Sequence, residues 1–216
     1  AAPPEERAAR EEQVWQALTD PAQLREWAPF DSDGNLGTVG STVKLTTVGA
    51  PTPHVTETKV TRADAPRVLE YTWGGFDMRW QLEPLEPAAP ERVTAKAGTR
   101  LTLWTNIDRR YMSMGAAGWH VCLDVLDHLL GGTPIGRIVG PEAMKFGGWP
   151  RLHAEASAAA ATLPNADDVA STYLALYERA RAAGPPGARA PAWYEVRMAQ
   201  EALRAWDQSL SRCTAA

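Results

Sequence analysis

The stretch from Arg67 to Leu82, RVLEYTWGGFDMRWQL, constrains the fold more than any other part of this chain. Two runs of alternating side chains flank Gly74-Gly75. In the first, Leu69, Tyr71 and Trp73 share a face; in the second, Phe76, Met78, Trp80 and Leu82 do, with Asp77, Arg79 and Gln81 opposite. A period of two belongs to strands with one dry side, and paired glycines reach the positive φ that a tight hairpin turn demands. The segment predicts an antiparallel hairpin whose aromatic face must be covered by another apolar layer.

That layer is supplied by MGAAGWHVCLDVLDHLLGG, Met114 to Gly132. At about 100° per residue, Val121, Cys122, Leu123, Val125, Leu126, Leu129 and Leu130 form a broad apolar arc with Trp119 beside it. His120, Asp124, Asp127 and His128 fall on one stripe, and Gly131-Gly132 reads as the C-cap. Ligands spaced four apart along a helix suit a zinc or di-metal centre, but the other two histidines, His54 and His153, are isolated in the sequence. The expectation is therefore no metal, with the stripe as the helix's wet back and Cys122 as a small buried hydrophobe.

Around these two segments the remaining elements fall into order. Glu5 to Leu18 reads as a helix, and TDPAQLREW starts a second with Asp20 as N-cap and Pro21 in the first turn. FDSDGNLGTVG has turn chemistry. STVKLTTV, HVTETKVTRA and GTRLTLWTNI read as strands, the last placing Leu101 and Leu103 opposite Trp104. Strands consecutive in sequence form an antiparallel meander most readily, on which the helix Met112–Leu130 packs. Past it come a loop and a short helix, then the small, polar SAAAATLPNADD as a linker. DDVASTYLALYERARAA and AWYEVRMAQEALRAWDQSL read as a helical hairpin, the second helix on Trp193, Val196, Leu203, Trp206 and Leu210. The expected division is residues 1–156 as the main domain, 157–167 as linker and 168–216 as helical extension.

Composition excludes several classes. With 216 residues, 44% hydrophobic and 22% charged, the chain can bury a sizeable core. Its net charge of −4 argues against nucleic acid or an anionic membrane as partner. No apolar run reaches membrane-spanning length. Cys122 and Cys213 are far apart in sequence and imply no disulfide framework, which suggests a reducing, cytoplasmic setting.

The order helix, helix, meander, long helix, with the motifs VWQALTDPAQLREWAPF, LEYTWGG and GWHVCLDVLDHLLGG, resembles the START-like (SRPBCC) superfamily over about Glu12 to Ala154. The most similar branch is the bacterial proteins related to the activator of the heat-shock-protein-90 ATPase. The resemblance implies an α+β helix-grip fold: a curved antiparallel sheet wrapped around the long C-terminal helix, with an apolar cavity between them. Members bind lipids, sterols, polyketides or hormones there; some are aromatase-cyclases and some act as co-chaperones. The family opens with a strand before its first helix, whereas AAPPEERAAREEQ is helix-like. The sheet is expected to lack that strand, leaving an edge for the tail, a second chain or an altered fold to cover.

The candidate ligand-binding residues are Tyr71, Trp73, Met78, Trp80, Leu101, Leu103, Trp119 and Leu123. The same side chains also suit a plain core, since each aromatic burial stabilises by roughly 1.5–3 kcal/mol. No nucleophile elbow, phosphate loop, zinc-protease motif or cysteine pair is present, so no catalytic residue is assigned. Asp108, Arg109, Arg110 and Tyr111 form a charged turn at the helix start, read as surface rather than as an anion site. The expected function is binding of a small apolar or aromatic ligand without a cofactor, not catalysis. The alternatives are a cofactor-free cyclase or hydrolase using the cavity, or a co-chaperone-like module. A homodimer or protein partner would meet it through the helical tail or the open sheet edge.

Overall fold

The structure, a computed structural model, describes residues 4–85, 98–107, 111–148, 154 and 196–198. Two helices come first, α1 (Pro4–Thr19) and α2 (Pro21–Trp27). Asp20 separates them as an N-cap: its Oδ1 accepts the Ala22 and Gln23 N–H groups at 2.8 and 3.1 Å, and Pro21 gives up an N–H that had no partner to find. α2 is pinned to α1 by the Trp27 indole N–H, which donates to the Ala17 carbonyl at 2.9 Å.

Seven antiparallel strands follow: β1 (Phe30–Ser32), β2 (Thr42–Thr47), β3 (His54–Lys59), β4 (Arg62–Asp64), β5 (Val68–Trp73), β6 (Phe76–Leu85) and β7 (Gly98–Thr105). They pair as β1-β2-β3 and as β4-β5-β6-β7. The two groups are tied between β3 and β5: the Thr72 N–H donates to Thr58 Oγ1 at 2.9 Å, and the two threonine hydroxyls lie 2.9 Å apart. The β5–β6 hairpin turns at Gly74 and Gly75, with φ of +60° and +86°, which sets Trp73 opposite Phe76, Tyr71 opposite Met78 and Leu69 opposite Trp80. β6 then sets Trp80 opposite Leu103 and Leu82 opposite Leu101.

α3 (Met112–Leu130) lies on the face that these residues share and stops at Gly131, followed by Gly132 at φ +75°. The Leu130 carbonyl accepts from Gln13 Nε2 at 3.5 Å, tying α3 to α1. Beyond it, residues Gly140–Gly148 form a 3-10 helical segment. The core gathers α1, α2, the sheet and α3 into one cluster that includes Trp27, Phe30, Leu45, Leu69, Trp80 and Leu126.

Two expectations are corrected. Phe30–Ser32 pairs with Leu45–Thr47 as a strand although it opens a turn-like sequence, because burying Phe30 against the sheet outweighs local turn preference. Val196–Met198, expected in a helix, forms strand β8, parallel to Leu101–Leu103 of β7. A free sheet edge offers backbone partners to any extended segment, and long-range pairing overrides helix propensity there. The rest of the anticipated helical hairpin, the linker and the Pro-rich loop after β6 lie outside the described residues.

Candidate functional site

Alternation within β5, β6 and β7 turns Leu69, Tyr71, Met78, Trp80, Leu82, Leu101 and Leu103 to one side, and all seven are buried in the core cluster. α3 contributes Trp119, Cys122, Leu123 and Leu126 from the other side. The eight candidate ligand-binding residues are thus brought together: seven are members of this cluster, and Trp73 packs against it half-buried.

The aromatic rings form a continuous chain. Trp119 is at its centre, with ring centroids 5.4 Å from Trp80, 5.6 Å from Trp73 and 6.5 Å from Trp27. Trp27 meets Trp80 at 6.0 Å, and Phe30 meets Trp73 at 5.3 Å and Tyr71 at 6.3 Å. None of these pairs is stacked face to face; edge and tilted contacts place positive ring edges against negative ring faces. Trp27 and Phe30 were not among the sequence candidates. Their signal lies in REWAPF, where two aromatics bracket Pro29 at the exit of α2.

Three polar contacts orient the rings. The Trp80 indole N–H donates to the Tyr71 hydroxyl oxygen at 3.0 Å, that of Trp73 donates to Thr47 Oγ1 at 3.2 Å, and that of Trp27 is held by Ala17. Burial raises the Tyr71 phenol above its ordinary ionisation range, opposed by the Trp80 hydrogen bond. Burial likewise pushes the Cys122 thiol up to about 12, offset by the charge of Arg137 and a backbone hydrogen bond. Both groups are neutral across the physiological range. Arg137 itself is engaged with Asp31 of β1 at 2.6 Å.

The polar stripe of α3 is less wet than its spacing implies. His120 and Asp127 are 5% and 3% exposed, Asp124 is half-buried, and His128 alone of the four is exposed. α3 is enclosed beyond its apolar arc: Ala117, which falls on the same stripe at about 100° per residue, is fully buried together with His120 and Asp127. Among the described residues no three His, Cys, Asp or Glu side chains converge to hold a metal ion. Tyr111 is 45% exposed, and Asp108–Arg110 lie outside the described residues. No helix among the described residues is long and apolar enough to cross a membrane.

An aromatic-lined sheet packed on one long helix is the START-like arrangement. The family Activator of Hsp90 ATPase homolog 1-like protein matches residues 8–131. The chain belongs to that family. Two bacterial crystal structures are similar: a Staphylococcus saprophyticus protein, 21% identical over 60% of this chain and 90% of its own, at TM-score 0.42, and a Rhodobacter sphaeroides protein, 27% identical over 37% of this chain and 60% of its own, at TM-score 0.30. No curated protein matches.

Proposed function

We propose that this protein binds a small apolar or aromatic molecule between the concave face of the sheet and α3. The observation that carries this reading is the ring chain Trp27–Trp80–Trp119–Trp73–Phe30–Tyr71: six aromatics converging on one place, all buried except Trp73. A core needs apolar volume, which leucine supplies as well. Rings held by individual hydrogen bonds give flat walls and fixed polar points, as small-molecule sites require. Trp73, half-exposed beside the Gly74-Gly75 turn, marks the rim.

Tyr71, Trp73, Met78, Trp80, Leu101, Leu103, Trp119 and Leu123 are its contact residues in this reading, with Trp27 and Phe30 added. Residues 1–156 carry the site, and 168–216 form an extension joined by the linker 157–167. The free, buried thiol of Cys122 fits a reducing, cytoplasmic setting. Titration with the neutral fluorophore N-phenyl-1-naphthylamine tests the reading. The expected result is saturable one-to-one binding, with energy transfer from tryptophan, weakened at least tenfold by Leu123→Trp, which fills the space. Failure of the probe to enter, together with an unchanged tryptophan spectrum, would make the aromatics simple core and direct the search to protein partners.

A further inference from the structure

The Tyr71 hydroxyl is half used. An indole N–H can only donate, so in the 3.0 Å contact Trp80 is the donor and the phenol oxygen the acceptor. The phenol's own hydrogen must then point elsewhere, and among the described residues Tyr71 makes no other hydrogen bond. Tyr71 is 3% exposed, so bulk water does not take up that donor. The ring packed edge-on against it, Phe30, carries no oxygen, nitrogen or sulfur acceptor. Buried donors are nearly always paired, and one left over within an aromatic cluster calls for an acceptor that the described residues do not supply.

We infer that the Tyr71 O–H is a ligand-recognition point, donating to a carbonyl or ether oxygen on an uncharged, ring-shaped apolar molecule. This rests on the binding reading above and names the class of ligand. Charge is excluded by the surroundings. Glu70 and Arg79 point to the opposite face of the sheet and pair with each other at 3.5 Å, and Arg137 is committed to Asp31. Arg137, whose charge reaches Cys122 in the cluster, is already paired with Asp31, so a charged ligand would be buried without an uncommitted partner, which is prohibitive. A neutral oxygen needs one donor, and Tyr71 has one. Trp80 sets its direction: by occupying the oxygen from one side, the indole leaves the hydroxyl hydrogen to the other. Trp80 is in this sense a positioning residue.

A matched pair of probes separates this inference from the binding reading. Fluorene and 9-fluorenone share a tricyclic frame and differ by one carbonyl oxygen. With the full chain, Tyr71→Phe is expected to lower the ratio of fluorenone to fluorene affinity about tenfold, the effect of one buried hydrogen bond, and this ratio rather than either affinity alone is the readout. The carbonyl stretch of bound fluorenone is expected at lower frequency in the wild type than in the variant. If Tyr71→Phe fails to fold, the infrared band of fluorenone bound to the wild type decides, because an unshifted carbonyl overturns the inference without any variant. Equal binding with an unchanged ratio in Tyr71→Phe also overturns it and leaves the cavity standing. Binding of neither probe overturns the cavity and the inference together.

Discussion

Arg137 Nη1 lies 2.6 Å from Asp31 Oδ1, joining the segment after α3 to the first strand across 106 positions of sequence. Both side chains are partly shielded, 21% and 35% exposed. A charge-assisted bond in that setting is worth more than an open surface pair but less than a fully buried one. Asp31→Asn and Arg137→Met should each lower unfolding free energy by about 1 kcal/mol in urea titrations. The double variant should lose less than the sum, because the two act through one contact. Additive losses would mean that the pair contributes nothing as a pair.

Next to it, two backbones touch. A Cβ on Gly49 would come within 2.6 Å of the Gly140 nitrogen, and one on Gly140 would strike the Gly49 carbonyl oxygen; their φ angles are +81° and +60°. Gly40, at φ +81°, has open space around it and serves as the control. Gly40→Ala should cost about 1 kcal/mol, the penalty of the left-handed backbone alone. Gly49→Ala and Gly140→Ala add a clash with main chain that has no rotamer to change, and should cost about 2 kcal/mol or more. Thermal denaturation of the three variants orders them; equal losses would show that the contact is loose.

Much of this arrangement is legible in local signals. Asp20-Pro21, Gly74-Gly75 and Gly131-Gly132 each carry turn or cap chemistry within a few residues, which sets the helix ends to within a residue or two, while β6 runs three residues beyond the alternating stretch, to Leu85. The alternation of Leu69 to Leu82 likewise gave the inward face, because the pleat assigns sides without reference to a partner. What escaped notice depends on distant partners. Phe30–Ser32 becomes a strand only because Leu45–Thr47 is there to pair with, and Val196–Met198 only because β7 has an edge. His120 and Asp127 are buried against the expectation for the same reason: a wheel shows which residues share a face of α3, not how many faces are covered. Trp27 joins the aromatic cluster through its contacts with Trp80 and Trp119, which no spacing within α2 reveals.

The alkaline limb of stability should report on the site. In an unfolded chain a thiol and a phenol ionise near about 8.5 and 10. Folded Cys122 is pushed up to about 12, and Tyr71 is raised above its ordinary range, both chiefly by burial. From about pH 8.5 upward the unfolded chain therefore holds fewer protons than the folded one, and stability falls as pH rises. The contribution is intact below that pH and is lost as pH climbs toward the folded values. Each group steepens the fall by up to about 1.4 kcal/mol per pH unit. Melting temperatures of the wild type, Cys122→Ala and Tyr71→Phe between pH 8 and 11 should show a shallower decline in each variant. Identical slopes would mean that neither group stays protonated in the folded protein.

Trp119 offers a way to separate stability from capacity, since it contacts three other tryptophans and is 7% exposed. Trp119→Phe keeps an aromatic ring and should cost about 1–2 kcal/mol, whereas Trp119→Ala opens a void and should cost about 3–5 kcal/mol. The void lies where the ligand is proposed to sit. In Trp119→Ala, N-phenyl-1-naphthylamine should bind with altered affinity and a second, larger fluorophore should gain entry; in Trp119→Phe the wild-type preference should persist. If the alanine variant loses stability but excludes every probe, the neighbouring rings have collapsed into the space, and the aromatic chain is packing rather than a site.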